Sequence, residues 1–141
     1  MIKMELEGFD EVQKMFEKLG TTGDKYFQQA LKETAVEGAS QMKSLLTDSV
    51  VTGRLRSSVH HETQTTKSYT YNDRKGRGYN GAFALNIGKL TSAFGTNVEY
   101  AEMVNIRSRT PGYFEKSILF AENKLEERLR VNYDKAIKEL T

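Results

Sequence analysis

The sequence predicts an α+β fold: an antiparallel sheet of about four strands packed against two long helices and carrying a long basic β-hairpin. Three observations predict it. Apolar residues recur at helical spacing in two extended stretches, they alternate in a middle region rich in β-branched and aromatic residues, and the two kinds of segment fall in separate blocks. That block order argues against a doubly wound α/β fold.

The elements follow in order. Ile2, Met4 and Leu6 alternate with Lys3, Glu5 and Glu7, the pattern of a strand with one buried face. Phe9, Val12, Phe16 and Leu19 then share one side of a short helix that stops at Gly20. A turn is expected at residues 21–24. From Asp24 to Leu46 the stripe Phe27, Leu31, Ala35, Gly38, Met42 and Leu45 predicts a helix of about 22 residues and ~33 Å. Gly38 costs about 1 kcal/mol there relative to Ala, which points to a close approach of another backbone or to a kink.

In the middle third Val59, His61, Thr63, Thr65, Tyr69 and Tyr71 share one parity, as in one strand or two. Residues 72–81 are turn chemistry with charge at Arg74, Lys75 and Arg77, and Phe83, Leu85 and Ile87 alternate after them, so a hairpin with a long basic tip is predicted. A short strand near Ser92 to Thr96 completes the sheet. Thr110-Pro111 then reads as a helix start, with Thr as cap and Pro at the first helical position. Phe114, Ile118, Ala121, Leu125, Leu129, Tyr133, Ala136 and Leu140 predict a helix of about 27 residues and ~40 Å, long enough that another subunit is expected to cover part of its stripe.

With 141 residues, the chain is expected to form one domain, 1–141. It has no cysteine, which excludes a disulfide framework and a thiolate metal site. No run approaches the roughly 18 apolar residues of a membrane span, and the opening residues lack the apolar run of a signal peptide, so cytosolic synthesis is expected. The net charge of +2 is unevenly spread: residues 54–90 hold 7 basic and 2 acidic residues, residues 1–53 hold 6 and 9, and residues 91–141 hold 8 and 8. A basic middle third suits phosphate or an acidic partner as well as a solvated loop.

Catalytic chemistry finds little support. Residues 76–81 match G-x-G-x-x-G, but alternation rather than a helix follows them, so a hairpin tip is preferred over a nucleotide loop. His60 and His61 are adjacent, and adjacent strand residues point to opposite faces, which leaves no shared metal. Glu33 with Glu37, and Glu122 with Glu126, read as solvated helix faces. No G-x-S-x-G elbow occurs. No cofactor and no enzymatic activity are expected. Nucleic-acid binding is the stronger rival, because Arg54, Arg56, Lys67, Arg74, Lys75 and Arg77 could pair phosphates while Tyr69, Tyr71 and Tyr79 offer stacking faces.

The segment Thr52-Gly53-Arg54-Leu55-Arg56-Ser57-Ser58-Val59, placed between a long helix and a strand, resembles a signature of one family. The family is that of the tail-component, or tail-completion, proteins of long-tailed (siphovirus-type) bacteriophages, which help join tail to head. Gly8-Phe9-Asp10-Glu11 after the first strand, Thr96-Asn97-Val98-Glu99-Tyr100-Ala101 after the hairpin, and Thr110-Pro111-Gly112-Tyr113-Phe114 opening the last helix fall in the same order as in that family. Two departures stand out: Asp48-Ser49-Val50-Val51 where the family commonly has a proline, and Asn105-Ile106-Arg107-Ser108 where it has an acidic-Gly-Thr turn.

The resemblance implies a structural virion protein at the head-tail junction or tail end. Such a protein is made in the host cytoplasm and forms a hexameric ring in the virion, the free chain being either a monomer or already a ring. Its implied partners are copies of itself, the tail tube protein and head-completion proteins, with phage DNA within reach of Arg74, Lys75 and Arg77 and no membrane. Thr52, Gly53, Arg54, Leu55, Ser58, Tyr100 and Ala101 carry the family motif. Apart from the resemblance, Thr52 can cap a helical turn, Gly53 permits tight chain entry, Leu55 can anchor the turn, and Arg54 and Arg56 are left facing outward. Tyr100 and Ala101 are expected to start a short helix with the Tyr packed on the sheet.

Overall fold

The computed structural model of the chain describes residues 2–5, 10–49, 53–65, 68–82, 87–88, 91–107 and 111–141. Leu6, Phe9, Thr52, Lys67, Phe83, Leu85 and Thr110, each given a role above, lie outside them.

Strand β1 (Ile2–Glu5) precedes helix α1 (Asp10–Glu17), which turns Phe16 into the core. Helix α2 (Gly20–Leu45) starts only two residues after α1 ends. The turn expected at residues 21–24 is therefore helical, with the Gly23 N–H donating to the Leu19 carbonyl at 3.5 Å. The buried face of α2 carries Phe27, Ala30, Leu31, Thr34, Ala35, Gly38, Ala39 and Met42. Thr34 is tolerated there because its hydroxyl donates to the Ala30 carbonyl at 2.8 Å, leaving no unpaired donor. Gly38 serves a close approach, but to a ring rather than a backbone: a Cβ at this position would lie 2.5 Å from Cε1 of the fully buried Phe94.

After a 3-10 turn (Leu46–Ser49) come α3 (Arg54–Ser58), β2 (His60–Glu62), β3 (Thr70–Asn72), β4 (Gly78–Asn80), β5 (Ala93–Thr96), α4 (Ala101–Arg107) and α5 (Tyr113–Leu140). The strands make two sheets in place of a single one of about four strands. One has the order β1-β5-β2, antiparallel throughout, and the other is the β3-β4 pair. All four residues of β5 are buried, as befits the central strand beneath α2, and β1 lies at an edge.

The expected parity holds at β3, which buries Tyr71 between exposed Thr70 and Asn72, and fails at β2. β2 buries His60 and Glu62, which are joined inside by a hydrogen bond between Nε2 and Oε2, and leaves His61 half-buried. The hairpin also closes earlier than the sequence pattern predicts. β3 is answered by Gly78–Asn80, in the register Tyr71 opposite Tyr79, while Ile87 packs on Ala93 without strand pairing.

Helix α5 does not start on a proline at its first position. Its N-cap is Gly112, and Pro111 lies one residue further out. Asn105 of α4 reaches across to do the capping: its Oδ1 accepts the Phe114 N–H at 2.8 Å, and its Nδ2 donates to both Glu115 carboxylate oxygens at 3.0 Å. The buried Tyr113 hydroxyl donates to the Ala101 carbonyl at 3.0 Å, and burial pushes that phenol's pKa well up.

α2 and α5 pack side by side, and polar residues join them. Arg128 bonds Glu37 and lies 3.8 Å from Glu33, while buried Asn132 donates to Glu33 at 3.3 Å. Glu33 and Glu37 are thus interhelical partners rather than a solvated face.

Candidate assembly site

The site is built from the outside inward at the start of α3. Gly53 is the N-cap in the left-handed conformation, φ 79°, which a side chain would strain, and it packs against the Arg74 side chain of the hairpin tip. Leu55 is buried, and Ser58 is fully so. The Ser58 hydroxyl donates to the Leu55 carbonyl at 2.6 Å and pairs with the Thr96 hydroxyl, which in turn accepts the Val98 N–H at 3.1 Å. The helical turn is thereby tied to the end of the central strand.

Arg54 and Arg56 part company. Arg56 is exposed, with Nε donating to the Lys43 carbonyl at 3.1 Å. Arg54 folds back: its two terminal nitrogens donate to the two oxygens of Glu99 at 2.9 and 3.2 Å, and its guanidinium lies 4.3 Å from the centre of the Tyr79 ring and 5.7 Å from that of Tyr100. Hydrogen bonds from its own backbone N–H and from Arg54 hold the Glu99 carboxyl below the usual range. Tyr100 therefore meets Arg54, at 37% exposure, and Ala101 is the fully buried first residue of α4.

The rings continue inward as a ladder. Tyr79 stacks on Tyr71 with centroids 5.3 Å apart, Tyr71 on Tyr69 at 6.2 Å, and Tyr69 lies flat on His60 at 4.0 Å and 5°. Gly81 makes room, since a Cβ there would come within 2.9 Å of both Tyr69 and Tyr71. The Tyr69 hydroxyl donates to the Ser57 carbonyl at 2.7 Å. At the inner end, His60 Nδ1 faces the Ser58 carbonyl at 2.8 Å, and a carbonyl can only accept, so this nitrogen holds a proton. Nε2 meets the buried Glu62 carboxyl at 2.7 Å. Sequence reasoning weighed His60 only as a metal ligand and missed this pair; the signal available was the i, i+2 spacing that puts both side chains on one strand face.

At the hairpin tip, Asp73 organises the turn. Its Oδ1 accepts the Lys75 and Arg77 N–H groups at 2.9 and 3.0 Å, and its Oδ2 accepts from Arg77 Nε at 2.7 Å and the Tyr79 hydroxyl at 3.3 Å. Burial pushes the Asp73 carboxyl up, but the bonds from Arg77 and Lys75 outweigh it and hold the group below its usual value. Arg74 and Lys75 point to solvent.

Elsewhere a cleft of about 630 Å³ lies beside α2 and is lined by Lys25, Lys32, Glu33, Glu37, Thr63 and Arg128 among others. Its two carboxylates are engaged by Arg128. Among the described residues, no group of three or more His, Asp or Glu could hold a metal ion, and no helix is long and apolar enough to cross a membrane.

Motif turn, hairpin and the Tyr100 corner thus converge on one guanidinium. This is the architecture of a small α+β protein whose marked residues brace one surface. The chain belongs to the HK97-gp10-like family, described as "Bacteriophage HK97-gp10, putative tail-component", whose model matches residues 10–106, more than two thirds of the chain. That family of bacteriophage tail components gives the protein a structural role in the virion. No curated protein and no solved structure matches the chain at a significant level.

Proposed function

We propose that the chain completes the phage tail, assembling as a hexameric ring at the tail end or at the junction with the head and touching the tail tube protein on one side and head-completion proteins on the other. The family match over residues 10–106 carries this reading. The fold supports it with features a closed ring of head-to-tail contacts can use: the edge strand β1, Met103 at 59% exposure on α4, and a braced motif surface around Arg54. Gly53, Arg54, Leu55, Ser58, Tyr100 and Ala101 act in it by holding that surface in shape, and Thr52 belongs to the same motif but lies outside the described residues. Electron microscopy of purified tail tubes with and without the protein tests the reading. Tubes closed at one end by a ring are expected, and tubes that stay open and keep elongating would overturn it.

Nucleic-acid binding as a primary role loses support from the geometry. Tyr69, Tyr71 and Tyr79 stack on one another, on His60 and on Arg54, and Arg77 is tied to Asp73. Arg74 and Lys75 remain available to DNA passing through the ring.

A further inference from the structure

Helix α5 faces the core through Tyr113, Ser117, Ala121, Leu125, Leu129, Asn132 and Ala136. On its opposite side runs a second row: Leu119, Glu126, Arg130 and Ile137. At about 100° per residue these four fall within roughly 40° of arc and span ~27 Å. All four are exposed, Leu119 at 59% and Ile137 at 37%. Neither Glu126 nor Arg130 takes part in an ion pair among the described residues.

The row has a symmetry that a random solvated face lacks. A two-fold axis crossing the helix level with residue 128 exchanges Leu119 with Ile137 and Glu126 with Arg130. When a second copy lies antiparallel on this face, each Leu119 meets an Ile137 and each Glu126 meets an Arg130, so that two apolar contacts and two ion pairs arise from one patch. An in-register parallel pairing would instead set Glu on Glu and Arg on Arg. Glu126 and Arg130 also line a groove of about 410 Å³ between α1 and α5, where Val12, Met15, Phe16, Leu129 and Tyr133 extend the patch with apolar area. Self-complementarity of a single patch is the requirement of an isologous interface. A different protein would have no cause to match the row equally in both directions.

We infer that two copies of this chain pair antiparallel through the outer face of α5, with Glu126 opposite Arg130 at the centre and Leu119 opposite Ile137 at both ends. The dimer is a state of the free protein, in place of the free monomer or preformed ring that the family resemblance left open. It does not rest on the ring, whose head-to-tail contacts use other surfaces.

Sedimentation of the full chain between about 1 and 100 µM at low salt tests it. The expected mass at the upper end is twice 16.0 kDa. Glu126→Arg and Arg130→Glu each oppose like charges across the axis and are expected to weaken the dimer at least tenfold. An equimolar mixture of the two variants is expected to regain it, since the basic face of one then meets the acidic face of the other. Unchanged circular dichroism shows that the variants are folded. A wild-type chain that stays monomeric, a dimer indifferent to both substitutions, or a mixture that fails to associate would each overturn the inference. Tail-tube capping by Glu126→Arg is scored separately: capping without dimers leaves the ring reading standing while the dimer is lost.

Discussion

Replacing Arg54 by Ala removes both the fork on Glu99 and the cation over the Tyr79 ring. Glu99 is mostly exposed, so the ion pair contributes little, and the stacked guanidinium contributes more. We expect Arg54→Ala to cost about 1–2 kcal/mol in urea unfolding, and Arg54→Lys to recover less than half of it, because an ammonium neither forks nor stacks. Equal stability of the Lys variant and the wild type would show that charge alone matters. Asp73 provides a pH test. Its folded pKa lies below that of an ordinary Asp, so its contribution to the hairpin tip is complete above the ordinary value and is lost as pH falls through the folded one. Protection of the Arg77 amide against exchange, relative to its intrinsic rate, is expected to fall in the wild type as acid protonates Asp73, and to show no such step in Asp73→Asn. The role of Arg54 was hidden in the sequence, whereas the partners of Asp73 lie within six residues of it. Arg54 and Arg56 look alike in Gly53-Arg54-Leu55-Arg56, and only the fold brings Glu99 and Tyr79 beside the first of them.

At the scale of elements, the periodic helices were legible and their ends were not. The α2 stripe and the middle of the α5 stripe, Ala121 to Ala136, followed from spacing, since 3.6-residue periodicity is set by burial on one side. At the ends of α5, Leu140 is exposed, and Tyr113 and Ser117 take the buried places expected of Phe114 and Ile118. The start of α5 was misplaced because its cap comes from another helix. Asn105→Ala is expected to cost about 1 kcal/mol, the usual worth of an N-cap side chain, with increased fraying of the first turn of α5 by hydrogen exchange. No change in either would mean that Gly112 alone fixes the helix start. Gly38 offers the converse case. Ala would gain about 1 kcal/mol of helix propensity, but its Cβ would press on the buried Phe94 ring, a type of overpacking that costs about 1–3 kcal/mol. We expect Gly38→Ala to lower Tm, and a rise would show that β5 shifts to make room. The short strands were the least legible. β2, β3 and β4 have three residues each, too few for alternation to fix parity securely; that of β3 came out as expected with Tyr71 inside, while in β2 the buried His60–Glu62 pair reverses it.

For the whole molecule, the sequence held the family motif in pieces: the turn at Gly53, the hairpin tip and the Tyr100-Ala101 corner. It did not show that the pieces touch, because Arg54 and Glu99 lie 45 positions apart in the chain. Nor could it show that the tyrosines stack on one another instead of on a base, a distinction made by Gly81 and the Tyr69–Ser57 hydrogen bond. A braced outer surface with little free stacking area fits a protein that works by fitting against neighbours. Quantitative mass spectrometry of purified virions tests that claim most directly. The account expects the chain in mature particles at the small fixed copy number of a single ring, and particles made without its gene to carry tails that are open or detached from heads. Infectious virions that contain none of the chain would contradict it.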